Sequence, residues 1–207
     1  GKDKVRMFYV YAEQTDEPLE EVRNSTLWQG ADANGVPEMS ATAYFFAKKL
    51  NQVLDIPVGV VEFARGGSRV ESWLPKETVV GYGEDVSPEA VAKREFYTRA
   101  FQMYNAMEYP LRGYTAKGFI WYQGCSNVGF ADQFEERMTE VVRQFREDWG
   151  DTDCSMPFYQ VEIAPYLYDE SGFGTAGAEL RYAQKQTARH IKNSAIISTN
   201  DLVKDYE

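Results

Sequence analysis

Three features of the sequence predict an α/β fold: a three-layer α/β/α sandwich with a mainly parallel sheet. Short runs of β-branched and aromatic residues, typical of buried strands, recur along the chain. Between them lie longer segments whose apolar residues repeat at the spacing of one helix face. Strands that alternate with helices in this way form parallel βαβ units, and 207 residues are enough for one domain with a substantial core.

The first part of the chain predicts two strands, a loop and a helix. Residues 5–11, VRMFYVY, are dense in β-branched and aromatic side chains and predict a strand. Residues 12–39 are polar and punctuated by glycine and proline, which predicts a long surface loop that borders a site. Ser40 is a suitable N-cap for a helix that ends near Leu54. The next strand, residues 58–63, is apolar on both faces, as buried parallel strands are.

The remaining elements follow the same alternation. We predict helices over residues 88–107, 132–149 and 180–191, and strands over residues 118–122, 158–163 and 195–199. Each helix is predicted because its apolar residues recur three or four positions apart, and the pattern over 132–149 is the clearest. Each strand is a short apolar run bounded by proline, glycine or polar residues.

Composition and charge argue against several classes of function. A formal net charge of -10 disfavours binding to nucleic acid or to an anionic membrane. No apolar run approaches the roughly 18 residues of a membrane span. With Cys125, Cys154 and His190 as the only cysteines and histidine, we expect neither a metal site nor a disulfide scaffold, and no cofactor. A flavodoxin-like nucleotide binder is disfavoured because no glycine-rich phosphate loop follows a strand and opens a helix.

Turns follow three of the predicted strands, the first two of them polar. They are Arg65-Gly66-Gly67-Ser68, residues 123–127 (QGCSN) and residues 163–166 (IAPY). Carboxyl ends of parallel strands meet at one edge of a sheet, where ligands bind in open α/β folds. Glycine N–H groups and side-chain amides are the donors that an oxyanion hole uses. Alone, the glycines could form a simple tight turn and Asn127 could satisfy its own backbone, so their combination is what indicates a site.

Four segments resemble, in order and spacing, the sialate O-acetylesterase branch of the SGNH hydrolases, from about Val5 to Asp201. They are YFFAKKL, PVGVVEFARGGSRVESW, GFIWYQGCSN and PFYQVEIAPY. The family's glycine turn, with its downstream acidic residue and tryptophan, is matched by Gly66, Gly67, Ser68, Glu71 and Trp73. Its Trp-Tyr-Gln-Gly-Glu-Ser-Asn motif is matched by Trp121, Tyr122, Gln123, Gly124, Ser126 and Asn127, with Cys125 in place of the glutamate.

The resemblance implies an SGNH-type, flavodoxin-like fold and a serine esterase that removes acetyl groups from sugar hydroxyls. In such an enzyme a serine attacks the acetyl carbonyl, and a histidine oriented by an aspartate takes the serine proton. By the match, Gly66 or Gly67 and Asn127 are the oxyanion-hole donors. The predicted substrate-binding residues are Gln123, Arg65, Cys125 and Ser126.

Two motifs of that family are absent from the sequence. A Gly-Gln-Ser-Asn nucleophile motif would lie before Val5, and the Asp and His-Pro motif would follow Glu207. We therefore expect residues 1–207 to form a single SGNH-hydrolase-like esterase domain without its nucleophile strand and its C-terminal Asp/His motif. The missing segment would come from the same polypeptide or from another chain. Ser68, Ser126 and His190 are rejected as substitutes, because no histidine is placed to activate either serine.

The expected partner is an acetylated glycan or a sialic-acid substrate. A high content of tyrosine, phenylalanine and tryptophan suits sugars, whose rings stack on aromatic faces, and Arg65 and Arg69 are the candidates for binding a sialic-acid carboxylate. Two alternatives stay open: an acetylxylan-type polysaccharide esterase and a non-catalytic glycan-binding pseudoenzyme. The family's glycan substrates imply a periplasmic or extracellular location.

Overall fold

The computed structural model describes residues 4–31, 39–168 and 172–202, and its strands alternate with helices. The strands are β1 (Val5–Val10), β2 (Gln29–Gly30), β3 (Val58–Phe63), β4 (Phe119–Trp121), β5 (Phe158–Val161) and β6 (Ser194–Ile197). The α-helices are α1 (Ala41–Leu54), α2 (Lys76–Gly81), α3 (Pro88–Ala92), α4 (Ala131–Asp148) and α5 (Ala176–His190). Short 3-10 turns cover Val70–Trp73, Phe96–Thr98, Tyr109–Leu111 and Cys125–Asn127, and Tyr104–Glu108 form a π-helix.

The strands form two three-stranded sheets, where the sequence predicts one. The first sheet has the order β2-β1-β3 and the second has the order β4-β5-β6. All strand pairs are parallel except β1 with β2, so the predicted mainly parallel pairing is confirmed within each sheet. Among the described residues no hydrogen bond joins β3 to β4.

Helices on both faces hold the two sheets together. The ring of Phe46 on α1, the helix that packs on β1 and β3, lies 6.3 Å from the ring of Tyr159 on β5. On the other face Phe145 of α4 contacts both sheets, with ring centroids 6.0 Å from Phe63 of β3 and 5.6 Å from Phe119 of β4. The three predicted layers are therefore present, while the sheet between the helices is divided at its centre.

The inner edges of β3 and β4 have no strand partner among the described residues. Val58 donates its N–H to the carbonyl oxygen of Lys4 at 2.8 Å, so the N–H groups of alternate residues in β3 point away from β1. Phe119 donates to the carbonyl oxygen of Pro157 at 2.9 Å, so Ile120 faces away from β5. Both strands are predicted to be buried, yet every residue in them is at least partly exposed. The free edges explain this exposure, because a central strand is covered only when both of its neighbours are present.

The prediction of one helix over residues 88–107 is wrong. The segment instead holds α3, the 3-10 turn Phe96–Thr98 and the π-helix Tyr104–Glu108, and the chain bends between them. Phe101 has a left-handed φ of 54° and donates its N–H to the carbonyl oxygen of Glu71 at 2.9 Å. Its ring is 1% exposed. Burial of this ring forces the bend, so tertiary packing overrides the helical spacing of the sequence.

The other predicted helices are confirmed within a few residues at their ends. Ser40 is the N-cap of α1, and its hydroxyl oxygen accepts the N–H of Ala43 at 3.3 Å. The predicted apolar stripe of α4 is buried, including Phe134, Met138 and Val141. Part of the loop predicted over residues 12–39 is the short strand β2, and residues 32–38 lie outside the described residues. Among the helices of the described residues, none has the length and apolar character needed to cross a membrane.

Two carboxyl groups, those of the buried Glu108 and the half-buried Asp148, lie next to each other. Glu108 is fully buried, and no N–H or hydroxyl group of the described residues donates to either of its carboxyl oxygens. Burial, and then the neighbouring Asp148, raise the pKa of Glu108 well above its usual value, with Arg112 opposing the shift. Burial also raises the pKa of Asp148, which accepts hydrogen bonds from Tyr104 at 3.1 Å and from Gln144 at 3.0 Å. Burial and the neighbouring carboxyl group both disfavour ionisation of Glu108, so we expect its protonated form to be favoured in the folded state.

We expect Glu108→Gln to stabilise the protein at neutral pH. The folded state keeps a proton that the unfolded chain releases above the ordinary carboxyl pKa, so the free energy of unfolding falls as the pH rises towards the raised pKa. The slope is about 1.4 kcal/mol per pH unit for one proton. Glutamine does not bind this proton, so the free energy of unfolding should depend less steeply on pH. Chemical denaturation between about pH 5 and about pH 8 measures this dependence of the unfolding free energy on pH. Glu77→Gln, at an exposed carboxylate, is the control, and an equally steep profile in Glu108→Gln would contradict the prediction.

Candidate active site

The turn after β3 and the turn after β4 lie side by side. The side-chain amide of Gln123 donates to the carbonyl oxygen of Ser68 at 2.7 Å. The backbone N–H of Val70 donates to Oδ1 of Asn127 at 3.0 Å. These bonds connect residues more than fifty positions apart and bring two of the three predicted strand ends together.

Gln184 of α5 ties the third strand end to the same place. Its Nε2 donates to the carbonyl oxygen of Gln123 at 3.0 Å, and its Oε1 accepts the N–H of Ile163 at 3.0 Å. The side chain is 1% exposed, so both ends of this amide are used inside the protein. Gln184 is not among the site residues predicted from the sequence. The available signal is a polar residue on the otherwise buried stripe of α5, next to Leu180 and Thr187.

Two of the turn residues have to be glycine. Gly124 has a φ of 140°, and a Cβ atom there would lie 3.0 Å from both Ile163 Cγ2 and Gln184 Nε2. Gly67 has a φ of 82°, and a Cβ atom there would lie 2.8 Å from the ring of Tyr97. Side chains of L-amino acids rarely adopt these angles. The close packing of the turns therefore depends on glycine at both positions.

The residues predicted as oxyanion-hole donors have N–H groups without a partner. Within the described ranges, neither Gly66 nor Gly67 donates its backbone N–H, and both residues are exposed. Oδ1 of Asn127 accepts two hydrogen bonds, the second from Gln123 Nε2 at 2.9 Å. Nδ2 of Asn127 donates one, to Oε2 of Glu71 at 3.2 Å. Since a primary amide has two N–H bonds, the contacts of the described residues leave one of them free.

The residues predicted to bind substrate differ in whether their polar groups already have hydrogen-bond partners. Gln123 uses both of its amide hydrogens, and its Oε1 is buried without a partner in the described part of the chain. Arg65 is exposed, its guanidinium lies 5.7 Å over the ring of Phe96, and this guanidinium makes no hydrogen bond or ion pair with any described residue. Arg69, in contrast, donates to the carbonyl oxygen of Ser126 at 3.1 Å.

Cys125 and Ser126 lie on the exposed side of the same turn. Cys125 is exposed, and its sulfur lies beside the hydroxyl of Tyr168. Burial first, and the neighbouring Cys125 second, raise the pKa of Tyr168, so this phenol stays protonated at neutral pH. Ser126 is half-buried, and its described hydrogen bond uses the backbone carbonyl only. Both side chains lie on the turn where a ligand could reach them, but among the described residues neither has a base beside it.

The hydroxyl of Ser68 is already hydrogen-bonded, and His190 lies at the other end of the strands. Ser68 is 4% exposed, and its Oγ accepts the indole N–H of Trp73 at 3.0 Å. His190 is at the end of α5, just before β6 begins at the edge of the sheet where Ser194 pairs with Phe158. The strand ends with the polar turns are at the opposite edge. Over the ranges that the structure describes, no group of three histidine, cysteine, aspartate or glutamate side chains could hold a metal ion.

Two buried acidic residues flank the turns: Glu162, which no motif of the sequence indicates, and Glu71, which matches the family's acidic residue. Glu162 follows β5 and is fully buried, with Arg181 Nε 3.5 Å and Lys185 Nζ 3.3 Å from its carboxylate. Glu71 is 2% exposed and pairs with Arg137 of α4. The sequence does hold a signal for this second pair, because Arg137 interrupts the apolar face of α4.

This chain is similar to known carbohydrate esterases. Residues 9–207 match the family described as carbohydrate esterase, sialic acid-specific acetylesterase. The sialate O-acetylesterase of Mus musculus is 28% identical over 235 residues, covering 94% of this chain and 43% of the mouse protein. The Homo sapiens protein of the same name is 26% identical over 180 residues, covering 78% of this chain and 32% of the human protein.

Solved structures give the same result for the fold. A carbohydrate acetylesterase from Xanthomonas citri superimposes with a TM-score of 0.83 at 26% identity, covering 99% of this chain and 44% of the bacterial one. An Arabidopsis thaliana protein superimposes with a TM-score of 0.59 at 18% identity, which supports the fold alone. The α/β fold class is thereby confirmed. The chain spans less than half the length of the curated relatives described above.

Proposed function

Since the chain belongs to the carbohydrate esterase family of sialic acid-specific acetylesterases, we propose that it supplies the oxyanion-binding side of a carbohydrate O-acetylesterase. The observation that carries this proposal is the pair of adjoining turns with free donors. Gly66 and Gly67 have unpaired N–H groups among the described residues, and Asn127 on the next turn has one unpaired amide N–H. Such donors stabilise the negative charge that develops on the carbonyl oxygen of an ester during hydrolysis.

A serine nucleophile completes the proposed reaction. The serine oxygen bonds to the acetyl carbon while a histidine takes the serine proton, and the carbonyl π electrons move onto the oxygen held by the two turns. When this intermediate collapses, the bond from the acetyl carbon to the sugar oxygen breaks, and the sugar leaves with the proton from histidine. Water then attacks the acetyl-serine in the same way and releases acetate.

We place the nucleophile on an additional strand between β3 and β4. The sequence has no Gly-Gln-Ser-Asn motif, and the facing edges of β3 and β4 have no partner among the described residues. A strand parallel to both would end beside the turns at Gly66 and Asn127. Its carboxyl end would bring a serine next to the oxyanion donors, as expected at this edge of an α/β sheet.

Acetylated sialic acid is the substrate class that we propose. Its carboxylate needs a cation, and Arg65 is exposed beside the turn without an ion-pair partner in the part of the chain described. Arg69 is the weaker candidate, since its guanidinium bonds to Ser126 and lies 4.0 Å over the ring of Phe130. A neutral acetylxylan would not use this charge. A periplasmic or extracellular location would suit such glycans and is part of the proposal.

We expect a serine-reactive phosphonate to label the full-length polypeptide on one serine outside residues 1–207 and to abolish its hydrolysis of p-nitrophenyl acetate. Peptide mass spectrometry locates the label, and heat-denatured protein is the control. A label on Ser68 or Ser126 would contradict the placement of the nucleophile. An unlabelled, inactive polypeptide that still binds acetylated sugars would favour the glycan-binding pseudoenzyme. The same assay with acetylated sialic acid and with acetylxylan separates the two substrate classes.

A further inference from the structure

A buried ion pair lies directly behind Asn127. Arg137 of α4 donates to Oε1 of Glu71, and Oε2 of the same carboxylate accepts the amide N–H of Asn127 at 3.2 Å. Arg137 is 7% exposed, Glu71 is 2% exposed and Asn127 is 1% exposed. The three side chains form a continuous chain of hydrogen bonds from α4 to the candidate oxyanion hole.

Stability alone does not account for this ion pair. Burying two charges costs free energy, and replacing a buried pair by well-packed apolar residues is often neutral or stabilising. Arg137 is on the same face of α4 as Phe134 and Val141, where an apolar side chain would pack as well. The carboxylate of Glu71 makes one contact that no apolar residue could make, the hydrogen bond from Asn127.

That contact fixes which end of the Asn127 amide faces which partner. Oδ1 is held by two donors, the N–H of Val70 and the amide of Gln123. A carboxylate has no hydrogen to donate, so Glu71 can hold only the Nδ2 end. If the amide turned over, Oδ1 would face the carboxylate and Nδ2 would face two donors. In this orientation one N–H of Nδ2 has no acceptor among the described residues, and we assign it to the substrate oxygen.

We infer that Glu71 and Arg137 are positioning residues that orient Asn127 for catalysis. This inference rests on the proposed function, because it gives Asn127 the role of oxyanion donor. Arg137 holds the carboxylate in place, and the carboxylate holds the amide. Arg137 also lies 3.3 Å from Oε1 of Glu84, a partner farther from the turns, which serves as a control below.

We expect Glu71→Gln in the full-length polypeptide to lower kcat about tenfold or more, with KM changed by less than about twofold. Arg137 would take the oxygen of the new amide, so the NH2 group of Gln would face Nδ2 of Asn127 and turn it out of position. Adding Arg137→Met frees that oxygen to face Asn127, so kcat should recover about threefold or more. A purely structural role predicts the opposite, because the double variant loses more buried contacts.

Three further measurements test the positioning role of Glu71 and Arg137. Glu84→Gln weakens the outer partner of Arg137, together with the ion pair of Glu84 with Arg94, and should leave kcat unchanged. In Glu71→Gln the side-chain amide signals of Asn127 should shift in an NMR spectrum, a readout that does not need activity. If Glu71→Gln does not fold, Arg137→Lys carries the same expectation, since it keeps the charge but not the guanidinium geometry.

Different experimental results would contradict the positioning role and the proposed function. Full kcat in Glu71→Gln beside an impaired Asn127→Asp would overturn the positioning role alone. Full kcat in Asn127→Asp would overturn the oxyanion assignment and the positioning role together. A double variant slower than Glu71→Gln would also overturn the positioning role.

Discussion

Asn127→Asp is expected to lower kcat for acetyl esters by about 10²–10³-fold and to leave KM nearly unchanged. The substitution keeps the size of the side chain and the Oδ1 acceptor that binds Val70 and Gln123. It replaces the Nδ2 donor by a carboxylate oxygen, which would repel both the developing oxyanion and the carboxylate of Glu71. The loss falls on kcat because the donor acts mainly on charge that forms in the transition state. Steady-state kinetics of the full-length polypeptide measure it.

A second buried asparagine provides the matched control for this prediction. Asn105 is 2% exposed and donates to the carbonyl oxygens of Thr15 and Asp16 at 3.2 and 3.0 Å, away from the two turns. Asn105→Asp should lower the melting temperature without changing kcat per folded molecule. In this control, any loss of activity should match the loss of folded protein. If the activity of Asn127→Asp also fell only as far as its amount of folded protein, Asn127 would not be an oxyanion donor.

The part of the site that is local in sequence could be predicted, and the part contributed by distant helices could not. Gln123 and Asn127 follow a strand and carry amides, so their pattern indicates donors at a sheet edge. Gln184 and Arg137 reach the same place from α5 and α4. Each sits on an apolar stripe, where its helical spacing is explained by burial alone. Their partners depend on how the helices pack, which no local pattern contains.

The fold shows the same division between local and distant information. α1 and α4 were predictable because caps and apolar periodicity are properties of a single segment. The segment after α3 was not, because the burial of Phe101 against residues thirty positions earlier decides its path. The division of the sheet is a further case: the strands are visible as apolar runs, while their neighbours depend on pairing between segments far apart in the sequence.

We also expect amide hydrogen exchange to reveal a strand between β3 and β4 in the full-length polypeptide. The N–H groups that point into the gap are those of Gly59, Val61, Phe63 and Ile120. If the proposed strand is present, they should exchange about 100-fold or more slowly than unprotected amides, because each would bond to that strand.

The two sides of β3 provide an internal control for this measurement. The alternate residues Val60 and Glu62 direct their N–H groups towards β1 and should be protected in any case. Protection on both sides would mean that β3 is a central strand, which places the carboxyl end of its new neighbour at the turn with Gly66. Protection of Val60 and Glu62 alone would mean that the edge is open in solution. A serine could not then be delivered to Asn127 by strand pairing, and the nucleophile would have to reach the oxyanion hole by another route.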